Sequence, residues 1–579
     1  MITETELEEE YCLPWFESLG WETIKEIDIA PDSNKRERDN YNEILLKNTL
    51  KSSLIQINPQ VPSETIDEVI VKLTKPESLD LIINNKEFHR LLLEGVDVKY
   101  KIDDEVVEDI LFLIDFENIN ANSFKVVNQF TIKGSKQLRR PDIVCFINGL
   151  PLFVIELKSP SKEKTDIWEA YNQLQTYKDE ISDLFIFNEA LIVSDGFNAR
   201  LGSLTANEER FTPWKAIKNE QDKPDNQWQL ETLVKGFFDK ELLLDYVRYF
   251  IIFETNEEAK TIKKIAAYHQ FHAVREAVTS TLIASGAEVT SNSTAITTVE
   301  HNSKKAGVIW HTQGSGKSIS MCCYAGKLIR QPQMKNPTLV IVTDRNDLDG
   351  QLYQTFCNAQ SLLGQNPVQA DSRDKLREAL AEREAGGILF TTIQKFALLA
   401  SEEKHPSLND RDNIVVISDE AHRSQYGLNA KLDSKTGFYK YGYAKHLRDA
   451  IPNASFIGFT GTPISFDDKD TRAVFGDYIS IYDIKDAVED GATVPIFYQP
   501  RLIKLDLNDT DLNEFESELE EIPEDEEAIE SNEKAKIKWS RLEKLVGSES
   551  RLKRVAKDLI EHYEDREKTI TGKAMIVNM

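Results

Sequence analysis

The chain has 579 residues, 40% hydrophobic and 29% charged, which predicts three or four globular domains of ordinary composition. It contains no run of eighteen apolar residues, and its first residues lack the basic and apolar regions of a secretory signal, so neither a membrane span nor export is expected. Five cysteines without metal-type spacing fit a reducing cytoplasm. The net charge of −28 disfavours extensive contact with nucleic-acid phosphates, so such contact would need a local basic track or a partner protein.

The first 240 residues alternate apolar runs with helical stretches, as α/β domains do. Ile143–Ile147, Leu152–Leu157 and Ala190–Ser194 are predicted strands, and Asp166–Tyr177 is a predicted helix.

The middle of the chain predicts a linker followed by a second α/β domain. Leu230–Arg275 is amphipathic and predicts helices that join two domains, while Ser280–Ser303, rich in Ser, Thr and Ala, predicts a flexible loop. From Ala306 to about Ile496, predicted strands and helices alternate in the rhythm of a parallel sheet. The predicted strands there are Gly307–His311, Thr338–Thr343, Gly387–Thr391, Ile414–Ser418 and Ser455–Thr460.

The remaining residues predict an acidic insertion and the start of another domain. Between Asp506 and Glu533 there are fourteen acidic residues and no Lys or Arg, which indicates a solvated segment. Val555–Tyr563 is a predicted helix, and Lys573–Val577 is predicted to be the opening strand of a domain that the sequence does not complete. The predicted units are 1–240, an N-terminal α/β domain; 241–305, a helical linker and loop; 306–500, a second α/β domain; 501–535, an acidic insertion; and 536–579, a helix and the start of a further domain.

A phosphate-binding loop is predicted where the sequence reads His-Thr-Gln-Gly-Ser-Gly-Lys-Ser after a strand. Glycines let the backbone approach phosphate closely and present N–H groups to it. Lys317 is expected to reach the β- and γ-phosphates of ATP and Ser318 to ligate Mg²⁺, although His311 stands where the strict motif has glycine. The residues expected to bind the nucleotide are Gly314, Ser315, Gly316, Lys317 and Ser318.

Further motor residues are predicted around this loop. Asp419 follows a buried strand and is expected to hold Mg²⁺, while Glu420 polarises the attacking water. The segment Thr460–Pro463, at another strand tip, suits a sensor between these acids and the DNA path. Gln270, upstream of the loop, is a candidate for reading the adenine edge, with an ordinary surface glutamine as an equal alternative.

A second magnesium-dependent site is predicted in the N-terminal domain. Asp142 opens one predicted strand, and Glu156 and Lys158 share a face of the next. Two carboxylates bind one or two Mg²⁺ ions, and a nearby lysine orients the attacking water. A two-residue turn at Asn148–Gly149 would set Asp142 opposite Ile155, on the wrong face, whereas a three-residue loop or one bulge would set it opposite Glu156; we predict the latter.

Gln173 and Tyr177 lie four residues apart on the next predicted helix and therefore share a face. They are candidates to hold DNA or the metal shell of the predicted nuclease site.

These motifs, in this order, resemble the motor and restriction (R) subunit of Type I restriction–modification enzymes. The segments that carry the resemblance are Arg140–Asp142, Glu156–Lys158, Gln173 with Tyr177, Val193–Gly196, His311–Ser318, Val342–Asp349, Ser418–Ser424 and Gly458–Pro463.

The resemblance implies a multidomain α/β protein with a RecB-like PD-(D/E)xK nuclease domain and RecA-like superfamily 2 motor lobes. It implies ATP-driven movement along double-stranded DNA, cleavage away from the recognition site, and partnership with methyltransferase (M) and specificity (S) subunits in a bacterial or archaeal cytoplasm. By the same resemblance, Asp142, Glu156 and Lys158 are nuclease residues, and Arg345 follows the DNA. An arginine from the incomplete second lobe would finish the ATP site, so residues 1–579 alone are expected to bind ATP and to hydrolyse it weakly or not at all.

Two other functions fit the same motifs. One is a stand-alone helicase–nuclease of DNA repair or of another defence system, which would not depend on a methyltransferase and specificity complex. The other is a non-enzymatic scaffold that a nucleotide switches, in which case neither Lys317 nor Asp142 would be needed for cleavage.

Overall fold

The computed structural model describes residues 3–577 except 104, 161–166, 226–227, 257–259, 290–298, 344–345, 400–401, 403, 422–430, 433–438, 441, 463–470, 502–548 and 570–571. Its residues form two compact units, Met1–Val494 and Pro495–Met579.

The N-terminal part of the first unit is built on a mixed sheet with helices around it. Its strands are β1 (Glu22–Lys25), β2 (Val96–Ile102), β3 (Glu105–Leu111), β4 (Phe124–Asn128), β5 (Ile132–Lys133), β6 (Leu138–Arg139), β7 (Ile143–Ile147), β8 (Leu150–Leu157), β9 (Ala190–Ser194) and β10 (Ala199–Gly202). Its helices are α1 (Glu4–Glu6), which continues through a π-helical turn (Leu7–Cys12) into α2 (Leu13–Ser18), then α3 (Glu26–Ile29), α4 (Lys47–Ile57), α5 (Ser63–Leu73), α6 (Leu81–Glu94), α7 (Ile167–Glu180), α8 (Ser182–Ile186), α9 (Gln229–Phe237) and α10 (Lys240–Tyr249).

Among the described residues, this sheet has the strand order β1-β4-β7-β8-β9-β10. The β1–β4 and β8–β9 pairs are parallel and the other pairs antiparallel. Every residue of β7, β8 and β9 is buried, because helices cover both faces of the central strands. The strands β2 and β3 form a separate hairpin, as do β5 and β6.

A hairpin and a long helix connect this domain to the next sheet. They are β11 (Ile251–Thr255), β12 (Thr261–Ile265) and α11 (Tyr268–Ser285).

The second sheet of the first unit is parallel, as predicted. Its elements are β13 (Lys305–His311), α12 (Lys317–Ile329), β14 (Thr338–Thr343), α13 (Asn346–Asn358), α14 (Gln360–Leu363), β15 (Val368–Gln369), α15 (Arg373–Ala381), β16 (Ile388–Thr392), β17 (Ile414–Ser418), β18 (Lys431–Leu432), β19 (Tyr439–Lys440), α16 (Tyr443–Ala450), β20 (Ser455–Thr460), α17 (Thr471–Phe475), β21 (Tyr478–Tyr482) and α18 (Ile484–Glu489). In the part of the chain that the structure describes, the strand order is β15-β16-β14-β17-β20-β13-β21, and β18 pairs with β19 alone.

Alternate residues of the second sheet enter two different cores. Ile309, Ile341 and Ile417 join a large core that extends through α11 into the N-terminal domain, whereas Val308 and Val340 belong to a smaller core on the opposite face. The N-terminal domain and the second sheet therefore share one continuous apolar interior.

Two predictions for the linker are wrong in part, and one for the C-terminus is wrong. Leu230–Arg275 contains the predicted helices but also a β-hairpin between them, where Ile251 and Phe253 are buried against the rest of the unit. The loop predicted at 280–303 starts too early, because Ser280 and Thr281 belong to α11, where the Thr281 hydroxyl bonds the Ala277 carbonyl and the Tyr324 hydroxyl. Residues 290–298 of the predicted loop lie outside the described residues.

At the C-terminus, the described helix is α19 (Glu549–Glu567), longer than predicted. Residues 572–577 are not a strand: Met575, Ile576 and Val577 are exposed, and no described strand lies beside them to complete a ladder. The predicted acidic insertion lies outside the described residues from 502 onward. Within the described residues, no helix is both long and apolar enough to span a membrane.

Candidate nuclease centre and nucleotide site

The hairpin between β7 and β8 brings the predicted nuclease residues together. Asn148 and Gly149 both have positive φ, as a two-residue type I′ turn requires. A bulge after Cys145 then shifts the strand pairing by one residue. Continued outward, this register sets Asp142 opposite Glu156, so the predicted register is confirmed.

Asp142, Glu156 and Lys158 meet at one end of this hairpin. The Leu157 N–H donates to Asp142 Oδ2 at 2.7 Å, and Lys158 Nζ lies 3.4 Å from Glu156 Oε1. Glu156 is fully buried, and its Oε2 has no hydrogen-bond partner among the described residues. Buried polar atoms are nearly always paired, so an unpaired carboxylate oxygen beside a second carboxylate is typical of a site for a cation.

Burial and mutual repulsion shape the acid–base properties of the two carboxylates. Burial raises the pKa of Asp142 above its ordinary value, and a hydrogen bond from Leu157 and the charge of Lys158 oppose that rise. The pKa of Glu156 is raised well above its ordinary value, first by burial and then by the charge of Asp142. A divalent cation would favour the ionised form of both groups.

The ligands available fit Mg²⁺ better than a metal that needs a full protein cage. No group of three or more His, Cys, Asp or Glu able to hold an ion occurs among the described residues. Asp142 and Glu156 would therefore supply two carboxylates, with water and substrate phosphate completing the shell, which is a common arrangement for Mg²⁺.

Gln173 and Tyr177 lie on α7 and reach the backbone just before Asp142. Gln173 Nε2 donates to the Tyr177 hydroxyl at 2.6 Å, and that hydroxyl donates to the Arg140 carbonyl at 3.3 Å. The pKa of Tyr177 is raised, first by burial and then by the negative charge of Glu156. This pair fixes the approach to Asp142; a direct contact with DNA stays a prediction.

The structure adds two residues that sequence reasoning missed, Glu8 and Gln129. Gln129 has a positive φ of 55°, rare for a residue with a side chain. Its Nε2 donates to Glu8 Oε2 at 2.7 Å and to Asp142 Oδ1 at 3.2 Å. Burial raises the pKa of Glu8 to about 7. The sequence carried no signal for Glu8, because it stands in an acidic run typical of a solvated helix face.

The nucleotide-site candidates gather at the carboxyl end of the second sheet. Strand β20 lies between β13, which leads into the phosphate loop, and β17, which leads to Asp419. Because all three strands are parallel, their carboxyl ends share one edge, where ligands of such sheets bind.

The phosphate loop needs glycine at two positions for different reasons. Gly314 and Gly316 have φ of 85° and 81°, which glycine adopts readily. A Cβ at Gly316 would lie 2.6 Å from Gln270 Nε2, whereas a Cβ at Gly314 would meet nothing within 4 Å. The Ser315 hydroxyl is already used inside the loop, where it donates to the Thr312 carbonyl at 2.6 Å.

Lys317 and Ser318 begin α12, directly after the loop. A Cβ at Gly461 would lie 3.2 Å from Lys317 Nζ, so glycine at the end of β20 leaves room for the lysine. Burial and then the neighbouring Glu420 raise the pKa of Asp419 to about 6, while Lys317 lowers it. Lys317 therefore lies within electrostatic reach of Asp419. Glu420 has a φ of 44°, an unusual backbone conformation of the kind found at functional sites.

Gln270 does not reach open space in this structure. Its Oε1 accepts from the Ala267 N–H at 2.8 Å, and its Nε2 donates to the Ser315 and Gly316 carbonyls at 3.1 and 2.9 Å. These bonds brace the phosphate loop against α11, and recognition of adenine by this amide stays a prediction.

His311 replaces the first glycine of the strict motif without obstructing the loop. Its side chain is fully buried, and Nε2 lies 2.8 Å from the Ser480 hydroxyl on β21. Burial lowers the pKa of His311 well below its ordinary value, so the ring is neutral. Thr460 is buried at the tip of β20. Arg345 and Pro463 lie outside the described residues.

Comparison with known proteins supports both halves of this description. Residues 1–210 match the family described as the Type I restriction enzyme R protein N terminus, and residues 269–532 match the SWI2/SNF2 ATPase family. A helicase domain of Hef from Pyrococcus furiosus is 17% identical over 30% of this chain and 34% of that chain with a TM-score of 0.20, too weak to bear on the assignment.

Curated relatives match along the whole chain. The Type I restriction enzyme HindI endonuclease subunit of Haemophilus influenzae is 48% identical over all of this chain and 53% of its own length. A putative Type I restriction enzyme MjaIXP endonuclease subunit of Methanocaldococcus jannaschii is 35% identical over all of this chain and 54% of its own length. The chain thus spans about half the length of these relatives, and its first 210 residues belong to the family of Type I restriction enzyme R protein N termini.

Proposed function

We propose that this chain is the motor and nuclease part of a Type I restriction–modification enzyme. In this function, ATP hydrolysis drives movement along double-stranded DNA, and unmodified DNA is cut away from the recognition site. The observation that carries the proposal is that one chain holds two separate groups of residues that are suited to phosphate chemistry. Asp142, Glu156 and Lys158 form one, and Lys317 with Asp419 forms the other.

At the first site, Asp142 and Glu156 would hold Mg²⁺, which supplies an activated water and neutralises charge on the scissile phosphate. Lys158 stays close to Glu156, where it orients the attacking water and offsets negative charge that builds up on the phosphate. Gln129 holds the Asp142 carboxylate, and Tyr177 holds the backbone two residues before it, at the Arg140 carbonyl. The mixed sheet and the paired carboxylates support a RecB-like PD-(D/E)xK fold for this domain.

At the second site, the loop backbone and Lys317 bind the phosphates of ATP, and Ser318 and Asp419 hold the Mg²⁺ that accompanies them. Glu420 orients the attacking water. The parallel sheet supports a first RecA-like lobe, and Arg345 contacts the DNA that the motor moves.

The proposal includes the partners of such an enzyme. Methyltransferase and specificity subunits would recognise the target sequence and present the adjoining duplex to this chain. The complex would act in the cytoplasm of a bacterium or archaeon.

Two alanine variants test the proposal in a complex reconstituted with the methyltransferase and specificity subunits. Asp142→Ala should abolish cleavage of unmodified DNA and leave translocation intact, because only the metal ligand of the nuclease is lost. Lys317→Ala should abolish both translocation and cleavage, because phosphate binding is lost.

Cleavage that persists in both variants would remove both enzyme assignments. Cleavage by the chain without the methyltransferase and specificity subunits would instead favour a stand-alone helicase–nuclease.

A further inference from the structure

A basic hairpin leads directly into the nuclease centre. In the whole chain, acidic residues outnumber Lys and Arg by 98 to 70, yet the segment 118–141 contains no acidic residue and five basic ones. Four of the five basic residues lie on or beside the hairpin β5–β6, namely Lys133, Lys136, Arg139 and Arg140. The next acidic residue after this segment is Asp142 itself.

The hairpin is held firmly by its backbone. The Lys133 N–H donates to the Tyr41 carbonyl at 2.8 Å, and the Ser135 N–H donates to the Glu180 carbonyl, at the end of α7, at 3.1 Å. A Cβ at Gly134 would lie 2.8 Å from the Gln137 carbonyl oxygen, so only glycine fits the tight turn. The hairpin is therefore a preformed platform rather than a loose loop.

Its cations differ in how far their charge is already neutralised. Arg139 Nε donates to Glu180 Oε2 at 2.7 Å, so Arg139 anchors the hairpin to α7. Lys136 is 79% exposed and lies 3.7 Å from the same carboxylate, a weak surface pair. Lys133 and Arg140 are exposed, and neither has an ion pair among the described residues.

We propose that this hairpin binds the phosphate backbone of duplex DNA beside the scissile phosphate, through Lys133, Lys136 and Arg140. The inference rests on the proposed nuclease function and adds to it the surface that holds the substrate. Exposed lysines on a short hairpin are suited to backbone phosphates rather than to base edges, so binding is independent of sequence. This binding would explain how a chain of net charge −28 can hold DNA at its nuclease site, since the segment 118–141 has no acidic residues to repel the phosphates.

The test compares two double variants of the 579-residue chain that remove the same number of charges. One is Lys133→Ala with Lys136→Ala. The control is Lys99→Ala with Lys101→Ala on the other hairpin of the domain, β2–β3, where both lysines are exposed. Both are made in the Asp142→Ala background, so that Mg²⁺ can be present without cutting, and affinity for a fluorescent 30-base-pair duplex of arbitrary sequence is measured from 50 to 300 mM KCl.

Each lost phosphate contact should reduce the slope of log K against log salt by about 0.9. The β5–β6 variant should therefore show a slope shallower by about 2 and an affinity about tenfold or more lower at 100 mM KCl. The β2–β3 control should match the parent chain. In the reconstituted complex with Asp142 restored, the β5–β6 variant should cut DNA about tenfold more slowly.

An unchanged slope, or an equal change in the β2–β3 control, would overturn the proposal. Loss of association with the methyltransferase and specificity subunits at an unchanged slope would also overturn it, by making the hairpin a protein-docking surface. Failure of the nuclease assignment is a separate outcome: Asp142→Ala would then still cut, while the salt dependence of the hairpin variant would be unaffected by that result.

Discussion

The two phosphate sites proposed for this chain are built from different parts of the polypeptide. The nuclease centre uses side chains of regular, buried strands, with Glu156 wholly inside the protein. The nucleotide site uses backbone groups of a loop, with Gly314 and Gly316 at positive φ and Gln313 and Gly314 exposed. The nuclease centre would bind its cation through buried, poorly paired carboxylates. The nucleotide site would bind phosphate through the backbone conformation of its loop.

This difference determines what each site costs the fold. A buried carboxylate oxygen without a partner destabilises the folded state by about 1–3 kcal/mol. The nuclease centre therefore destabilises the fold until a cation binds. At the nucleotide site Glu420 is only half-buried, so holding its charge costs less, and Ser315 and Gln270 bond carbonyl groups of the phosphate loop. Matched substitutions at the two sites should therefore differ in stability as well as in activity.

The largest expected contrast is between Glu156→Gln and Glu420→Gln. Glu156→Gln should lower DNA cleavage by about a thousandfold or more, because a metal ligand is lost. Without divalent metal it should also raise the melting temperature, because a neutral amide replaces a buried carboxylate. Glu420→Gln should lower ATP hydrolysis by a similar factor and change the melting temperature less, because Glu420 is only half-buried whereas Glu156 is fully buried.

Calorimetric melting in EDTA, with cleavage and ATP hydrolysis assayed in the reconstituted complex, would measure the contrast. Equal melting temperatures for Glu156→Gln and the parent chain would mean that the buried oxygen has a partner in solution. The expected difference in stability between the two sites would then be wrong.

An intermediate effect is expected at the brace of the phosphate loop. Gln270→Glu replaces an amide that donates to two carbonyls with a carboxylate that repels them. Losing two hydrogen bonds of about 1 kcal/mol each should weaken nucleotide binding roughly tenfold to a hundredfold. If the amide only braces the loop, ATP and GTP should weaken equally.

Titration calorimetry with both nucleotides would measure this effect, with Gln351→Glu, exposed on α13, as the control for added charge. A loss confined to ATP would contradict the brace and establish that Gln270 reads the adenine edge.

The two sites also differ in how much the sequence could predict. The strands β7, β9, β14, β17 and β20 begin and end at the predicted residues, because their apolar runs between turn residues leave little ambiguity. The register of β7 against β8 was predictable because only one register lets Asp142 and Glu156 share a face, although a three-residue loop would have set it as well as the bulge that is present.

Contacts between distant segments were not predictable in this way. Glu8 reaches Gln129 across 121 residues, and nothing in the local pattern of either segment indicates the pairing. The hairpin β11–β12 was missed for a related reason, since charged residues (Glu254, Lys263 and Lys264) follow its apolar ones closely, and such a mixture also fits an amphipathic helix. Tertiary packing decides such cases.

The smallest expected effect concerns Glu8 and the pH dependence of stability. Its folded-state pKa of about 7, raised by burial, lies above the value of 4.5 for an unperturbed glutamate. Folding therefore favours the protonated form of Glu8. The contribution of Glu8 to the free energy of unfolding is full below pH 4.5, falls as the pH rises to 7, and is constant above pH 7. The free energy of unfolding lost between pH 4.5 and pH 7 is at most about 3 kcal/mol.

Glu8→Gln should remove this loss of stability. Its melting temperature in EDTA should approach that of the parent chain at pH 4.5 and exceed it at pH 7.5. Glu10→Gln, exposed on the same helical segment, gives the baseline for removing one charge. A Glu8→Gln curve parallel to that baseline at every pH would mean that Glu8 is ionised in the fold, and the nuclease centre would then hold a third charged carboxylate where a cation could bind.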